Sequence, residues 1–398
     1  MKIIVNVSSL APPLTGIGWY TFNLLAGLIT SNQVQRVIGS GVGCFYSTQD
    51  LEQLLESRSL GGGVAADSAS LVPSRGKIQQ QLYAAARNLS FLRSIKQLVQ
   101  DRLFAQKMRG LSDYLYWEPN YILSPFPGRA ITTVHDLSHL RYPEYHPRAR
   151  VAHLEKHLSH SIEQASHVIV VSEFTRTEVT GLLGIDAKHT SVVMPGISAD
   201  YFPRDNGDLF PVLKRYGLSP GYLLSVGTLE PRKNLPGLLR AYLRLSPALR
   251  KKVPLVLVGA KGWNSTDTEN MINRAERRGE IIRLGYVNGG DLPSIYAGAL
   301  ALAYPSFYEG FGMPLAEAMA SGTAVITSNC SAMPEVVGKA GELVNPYMDD
   351  EIVAALELVL GDPVHREKME KIGLKRAEQL TWSHSLDNLL ATFRQVRR

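Results

Sequence analysis

The sequence predicts an α/β chain of two doubly wound, Rossmann-like domains. Three observations predict it. The chain has 398 residues, and domains take roughly 100–200 residues each. Short, nearly continuous apolar runs alternate with longer helical patterns, as in parallel sheets covered on both faces. That alternation breaks once, over 201–221, and then restarts. Hydrophobic residues make up 45% and charged residues 20%, which supplies a core and argues against disorder.

Read in order, KIIVNV (2–7) is the first strand, followed by a loop with Pro12, Pro13, Gly16 and Gly18 and a helix over 19–29. VIGSGVGCFY (37–46), DYLYW (113–117), AITTVHD (130–136), HVIVVSE (167–173) and SVVMPG (191–196) read as buried strands. The Pro-, Gly- and Asp-rich stretch 201–221 has weak periodicity and is the expected linker. Strands resume at 222–227, 254–260, 281–287, 299–305, 323–328 and 341–346, with helical patterns between them such as 235–245. Such alternation builds a doubly wound sheet. The expected domains are 1–204 and 205–378, with a closing helix at 379–398 that packs back on the N-terminal domain. Ligands of open α/β sheets bind beyond the carboxyl ends of the strands, so two facing sheets are expected to leave a cleft.

Composition excludes several classes. Two cysteines, Cys44 and Cys330, are too few for a disulfide scaffold or a Cys-rich zinc module. The four apolar residues of the N-terminus are too few for a secretory core. No apolar run approaches the ~18 residues of a spanning helix. A cytoplasmic setting is expected, with possible peripheral attachment to the inner face of the cytoplasmic membrane. The net charge of +6 is local. Residues 74–110 hold eight Lys/Arg and one acid, Asp101, while the rest carries 34 bases and 35 acids. Leu82, Ala85, Leu89, Leu92, Leu98 and Leu103 recur at helical spacing with Arg87, Arg93, Lys96, Arg102 and Lys107 between them. This is an amphipathic helix or hairpin. It either packs on the N-terminal domain or binds an anionic membrane surface. No RNA-binding signature supports nucleic acid as a partner.

The strongest motif is YPSFYEGFGMPLAEAMASG (304–322). A strand runs into a glycine-bearing loop, Pro314 suits the first turn of a helix, and Gly322 its end. A helix N-terminus is a ready anion site. Glu309 and Glu317 would repel phosphate there unless they face hydroxyls, for which carboxylates are good acceptors. The pair suggests a nucleotide sugar, one Glu on the ribose and one on the sugar. The alternative is a dipole-complementing Glu317 and a solvated Glu309. In SVGTLEPRKNLPGLL (225–239), Arg232 and Lys233 follow a strand and Asn234 can cap the next helix. Two cations there suit a diphosphate. Gly16 and Gly18 allow close backbone approach, but the dinucleotide fingerprint is absent. His135 and Asp136 close a strand, where His135 could bond sugar hydroxyls or take a proton. His139, Tyr142 and His146 are weaker candidates for acceptor contacts. The histidines lack metal-ligand spacing, so no metal site is expected.

These residues resemble the retaining family 4 glycosyltransferases of the GT-B fold. The resemblance covers nearly the whole chain. It is strongest at VGTLEPRKN (226–234), LVGAKGW (257–263), LGYV (284–287) and PSFYEGFGMPLAEAMASGTAVITSN (305–329). VHDLSHLRYPEYH (134–146) and VIVVSEFTRTE (168–178) are similar to bacterial mannosyl- and rhamnosyltransferases of surface polysaccharide synthesis. The resemblance implies an acceptor-side N-terminal domain and a nucleotide-sugar-binding C-terminal domain. It puts Arg232 and Lys233 on the donor diphosphate, Glu317 on the ribose and Glu309 on the donor sugar. The backbone of Phe311, Gly312, Met313, Pro314 and Leu315 would support sugar and phosphate. Gly16 and Gly18 would line the phosphate pocket, His135 would lie near the donor sugar, and Tyr286 and Val287 near the base. The family's G-G-x-P-E element stands here as Ser331-Ala332-Met333-Pro334-Glu335, without either glycine.

The implied reaction moves mannose or D-rhamnose from a GDP-sugar to a lipid-linked glycan, with retention and without a metal or other cofactor. A UDP-sugar donor is the close alternative. A catalytically silent nucleotide- or sugar-binding protein and a sugar-nucleotide epimerase are the alternatives of other classes.

Overall fold

The computed structural model describes residues 1–12, 14–41, 44–60, 106–228, 230–260 and 266–397. Most of the basic stretch 74–110 lies outside the described residues, so the expectation of a membrane-facing helix there is not addressed. From its end, Met108 is fully buried among Ile4, Tyr114 and Tyr116, and the Lys107 ammonium lies over the Phe45 ring.

The first sheet has seven strands. They are β1 (Lys2–Asn6), β2 (Arg36–Gly41), β3 (Cys44–Tyr46), β4 (Leu115–Glu118), β5 (Ala130–Val134), β6 (His167–Val170) and β7 (Thr190–Val192), in the order β3-β2-β1-β4-β5-β6-β7. β1 is central because Ile3, Ile4 and Val5 are fully buried and can be covered on both faces. Ile3 pairs Val37 on one side and Leu115 on the other, both in parallel register. One expectation is corrected here. The expected strand over 37–46 is two strands, β2 and β3, which run antiparallel with Gly39 opposite Tyr46. Gly-Val-Gly in the middle of that run is a turn signal that the apolar pattern hid.

The second sheet has six strands, all parallel. They are β8 (Tyr222–Val226), β9 (Leu255–Val258), β10 (Ile281–Gly285), β11 (Ala299–Tyr304), β12 (Ala324–Ser328) and β13 (Gly341–Val344), in the order β10-β9-β8-β11-β12-β13. Counted from its own first strand this is 3-2-1-4-5-6, the doubly wound order. Leu238, Leu239 and Tyr242 of the Leu235–Arg244 helix join its core. The Tyr242 hydroxyl donates to the Val253 and Glu280 carbonyls, at 3.0 and 2.9 Å, so its burial leaves no polar group unpaired.

The expected linker holds a second correction. Asn206–Arg215 is a helix, capped by Asp205, whose carboxylate accepts the Asp208 N–H at 3.0 Å. Leu209 and Leu213 bury its inner face despite Pro211 inside it.

Contacts divide the chain into two compact units. One comprises Met1–Thr133, His160–Val168 and Phe393–Arg398, and the other Val134–Ser159 and Ile169–Thr392. The closing helix, Trp382–Arg397, contributes to both. In the first unit Phe393 meets the Trp117 ring edge-on at 5.9 Å, and Arg129 donates to the Val396 carbonyl. In the second, the Ser385 hydroxyl donates to the Met194 carbonyl at 2.6 Å. No described helix is long and apolar enough to cross a membrane.

Candidate active site

In a doubly wound sheet the crevice opens where the strand order reverses. In the second sheet that is between β8 and β11, so the loops after these two strands are neighbours. After β8, Gly227 takes φ +141° and the Lys233 stem folds against it. Pro231–Lys233 is a tight 3-10 turn, and Asn234, left-handed at φ +53°, begins the next helix by accepting the Gly237 N–H at 3.3 Å. This turn faces Arg232 and Lys233 toward the loop after β11.

Glu309 meets them there. Arg232 Nη1 lies 2.8 Å from Glu309 Oε2, and Lys233 Nζ lies 2.7 Å from Oε1. The Tyr304 hydroxyl donates to Oε1 at 2.9 Å and accepts from Lys233. The backbone binds the same loops: Phe307 N–H donates to the Arg232 carbonyl at 2.9 Å, and Arg232 Nη1 to the Tyr308 carbonyl at 2.5 Å. Glu309 is 5% exposed. Burial pushes its carboxyl up, but the Arg232 and Lys233 charges outweigh burial and hold it at about 2. Burial would lower Arg232, yet Glu309 and Asp136 keep it firmly charged. Lys233 is lowered, by burial first and by Arg232 beside it, against the pull of Glu309. Two further carboxylates stand beside these three groups: Glu230, 3.7 Å from Arg232 Nη2, and Asp136. Sequence reading gave the two cations the diphosphate and Glu309 the donor sugar, whereas here the three are one another's partners.

The Met313–Ala320 helix starts next to the cluster. Gly312 precedes it at φ +95° and no side chain caps it; Pro314 has no N–H and Leu315 N–H donates to the Gly312 carbonyl at 3.0 Å, so the Met313 N–H is the donor left at the helix start. Pro314 stands in the first turn, while Phe311 and Leu315 are buried and fix the helix. One turn on, Glu317 accepts the Tyr296 hydroxyl at 2.7 Å, and Tyr201 bonds it as well. Burial raises its carboxyl pKa, which these hydroxyls only partly offset. The two Glu residues thus occupy opposite environments, one ringed by cations and one by phenols.

His135 is half-buried in the second unit, and its backbone fits closely against the Glu309 loop. A Cβ on Gly310 would stand 1.9 Å from the His135 carbonyl oxygen. Asp136 accepts from the Ser138 N–H and hydroxyl, at 3.1 and 2.8 Å. The Ser172 hydroxyl donates to the Gly310 carbonyl at 2.6 Å. The Tyr308 hydroxyl donates to buried Glu178, which also takes Arg141 Nε at 2.6 Å. Sequence reading missed Tyr304, Tyr308, Glu178, Tyr201 and Tyr296. Each is joined to the site by partners far along the chain, and only Tyr304, at the strand end, carried a local signal.

The first departure from G-G-x-P-E, Ser331, is also explained. Ser331 adopts the left-handed φ of +53° that a glycine would take, and its hydroxyl accepts the Glu309 N–H at 3.1 Å. Glu335 accepts the N–H groups of Glu173 and Phe174, at 2.8 and 3.0 Å, where the Glu173–Leu183 helix begins. Tyr286 is 72% exposed just past β10, beside buried Val287. Gly16 and Gly18 belong to the first unit. Gly18 is required by packing, since a Cβ there would stand 2.8 Å from the Ser9 carbonyl, whereas Gly16 is open at the start of its helix. Among the described residues no group of three or more His, Cys, Asp or Glu could hold a metal ion.

Two doubly wound, Rossmann-like sheets, with paired cations and a carboxylate at the switch point of the second, define a GT-B glycosyltransferase. Comparison with known proteins gives the family. Residues 216–376 match the model of the glycosyl transferases group 1, and residues 117–201 that of glycosyltransferase family 4. The chain is 37% identical over 385 residues to the O-antigen chain mannosyltransferase B of Escherichia coli, covering 96% of this chain and 97% of that protein. It is 26% identical to the O-antigen chain mannosyltransferase RfbU of Salmonella typhimurium, over 60% of this chain and 66% of that one. The fold is similar to that of sucrose-phosphate synthase from Thermosynechococcus elongatus, with a TM-score of 0.70 at 19% identity over 100% and 99% of the two chains. The chain belongs to the family 4 glycosyltransferases.

Proposed function

We propose that this glycosyltransferase moves mannose or D-rhamnose from a GDP-sugar to a lipid-linked glycan, in the cytoplasm and with retention of configuration. The observation that carries the reading is the buried Arg232–Lys233–Glu309 cluster at the β8/β11 switch point. The mannosyltransferase names of the relatives support the sugar and, through it, the GDP donor. In this reading residues 1–204 serve the acceptor, 205–378 the nucleotide sugar, and 379–398 close the chain.

The mechanism follows from charge. Breaking the sugar–phosphate bond puts negative charge on the diphosphate and oxocarbenium character on the sugar. Arg232 and Lys233 swing part of their charge from Glu309 to the diphosphate, and the Met313 N–H at the helix start adds to it. Glu309 then accepts hydroxyls of the donor sugar, Glu317 with its tyrosines accepts those of the ribose, and Tyr286 stacks on the base beside Val287. His135 lies by the donor sugar. A double displacement needs an ionised carboxylate on the anomeric carbon. Glu309 is ionised but engaged through both oxygens by Arg232 and Lys233, and we favour front-face attack with the leaving phosphate taking the acceptor's proton.

The test is nucleotide release from GDP-mannose and GDP-D-rhamnose, with and without a lipid-linked acceptor and with a metal chelator. The reading expects GDP release that depends on acceptor and persists with chelator. Release from UDP-sugars alone would overturn the donor, and a sugar trapped covalently on Glu309 would overturn the front-face route.

A further inference from the structure

Four aromatic rings close a circuit on the second unit, one residue away from the Glu309 cluster. Tyr142 and Tyr145 stack with centroids 5.5 Å apart and planes 2° from parallel. Tyr145 stacks on Phe307 at 6.0 Å, and Phe307 on Tyr347 at 4.8 Å. The circuit closes where the Tyr347 and Tyr142 hydroxyls meet at 3.2 Å. Three loops supply the rings: Tyr142 and Tyr145 follow β5, Phe307 follows β11 and Tyr347 follows β13. Tyr347 is 61% exposed. The array is continuous with the reaction site, because Phe307 is tied to the Arg232 carbonyl and Tyr142 meets the Tyr308 ring edge-on at 5.7 Å.

The exposed Tyr347 ring, backed by the stacked rings behind it and edged by phenol hydroxyls, suits one class of ligand. Pyranose rings present C–H faces that pack on aromatic faces, and hydroxyls that exchange hydrogen bonds with tyrosine. The rings already hold one another, so little side-chain ordering remains to oppose binding. No cation belongs to the circuit, so it offers nothing to a diphosphate. The donor base is not the better occupant. On the assignment above it stacks at Tyr286, past β10. From β10, the strands that carry Phe307 and Tyr347, β11 and β13, are three and five spacings of about 4.8 Å away, roughly 14 and 24 Å.

We propose that this aromatic shelf seats the terminal sugars of the acceptor glycan and presents them to the donor sugar at Glu309. The proposal rests on the glycosyltransferase reading above and adds the acceptor subsite. The test is saturation-transfer NMR of a soluble mannose trisaccharide with the wild type, Tyr347→Ala and Tyr347→Phe, alongside the thermal stabilisation of each by GDP. The wild type and Tyr347→Phe are expected to transfer saturation from aromatic protons to the sugar. Tyr347→Ala should bind the trisaccharide about tenfold more weakly, as loss of one stacked ring implies, with its GDP stabilisation unchanged. Equal sugar contact in Tyr347→Ala, or none in the wild type, would overturn the shelf. Loss of GDP stabilisation in Tyr347→Ala with sugar contact kept would give the shelf to the nucleotide and overturn the proposal as well. Sugar binding at the shelf in a wild type that GDP does not stabilise would instead count against the donor reading, leaving the shelf in place.

Discussion

The two sheets each bury a carboxylate where their strand order reverses, and the two carboxylates titrate in opposite directions. Glu118 ends β4 beside Asn6 of β1 and is 3% exposed. It accepts Asn6 Nδ2 at 2.6 Å, the Tyr116 hydroxyl at 2.9 Å and the Asn120 N–H at 3.2 Å. Those neutral donors do not offset burial, and its carboxyl is pushed up to about 8. Glu309 is as deeply buried but sits between Arg232 and Lys233, and it is held at about 2. Burial is common to both, so the cations decide. One switch point stores a proton near neutral pH, and the other stores a fixed charge pair that an incoming anion can reorganise.

The largest expected effect separates the two. A carboxyl raised from 4.5 to about 8 on folding stabilises below pH 4.5, and that contribution is lost as pH rises through 8. The loss amounts to about 4–5 kcal/mol. Glu309, depressed from 4.5 to about 2, does the reverse. Its stabilisation, about 3 kcal/mol, is present above pH 4.5 and lost as pH falls through 2. Glu118→Gln keeps the acceptor oxygen without the titration. Thermal unfolding of this variant should lose the decline in midpoint that the wild type shows between pH 5 and pH 8. An unchanged decline would show that Glu118 is ionised when folded.

On the Glu309 side, Lys233→Ala leaves the carboxylate paired with Arg232, so the fold should survive. Transfer should fall about 10²–10³-fold, as on removing one donor to a developing anion. Steady-state transfer with circular dichroism checks both, and near-normal turnover would take the diphosphate away from Lys233.

The smallest effect concerns Ser331. Ser331→Ala keeps the left-handed backbone and leaves the Glu309 N–H without its acceptor, a cost of about 1–3 kcal/mol. Ser331→Gly loses the same hydroxyl but relieves the backbone, so it should unfold later than Ser331→Ala by about 1 kcal/mol. Equal midpoints for the two variants would show that this φ carries no strain.

The same contrast marks what could be read from the sequence. Arg232 with Lys233, and Gly312 with Pro314, announce themselves because strand, turn and helix start are local patterns. The parallel strands were legible from their apolar runs. Pairing was not: Glu309 finds Arg232 across 77 residues, and Tyr308 finds Glu178 across 130. Which of two neighbouring carboxylates meets the cations is set by strand order, a property of the whole sheet. Local signals also misled where two rules competed, as at the antiparallel β2–β3 pair inside one apolar run. In the Asn206–Arg215 helix, the Asp205 cap and buried Leu209 and Leu213 prevail over Pro211. The missing glycine of G-G-x-P-E was visible as a departure. That Ser331 would take the glycine's φ and bind Glu309 was not.

The central claim is that the cation pair around Glu309 is a clamp for a nucleoside diphosphate. Its most direct test is the thermal shift of the wild type and Lys233→Ala with GDP, UDP and ADP, each with and without magnesium. A ligand at 100 times its dissociation constant stabilises by about 2.7 kcal/mol. The account predicts a shift with GDP, independent of magnesium, that Lys233→Ala abolishes. No shift with any of the three, or an equal GDP shift in both proteins, would contradict it.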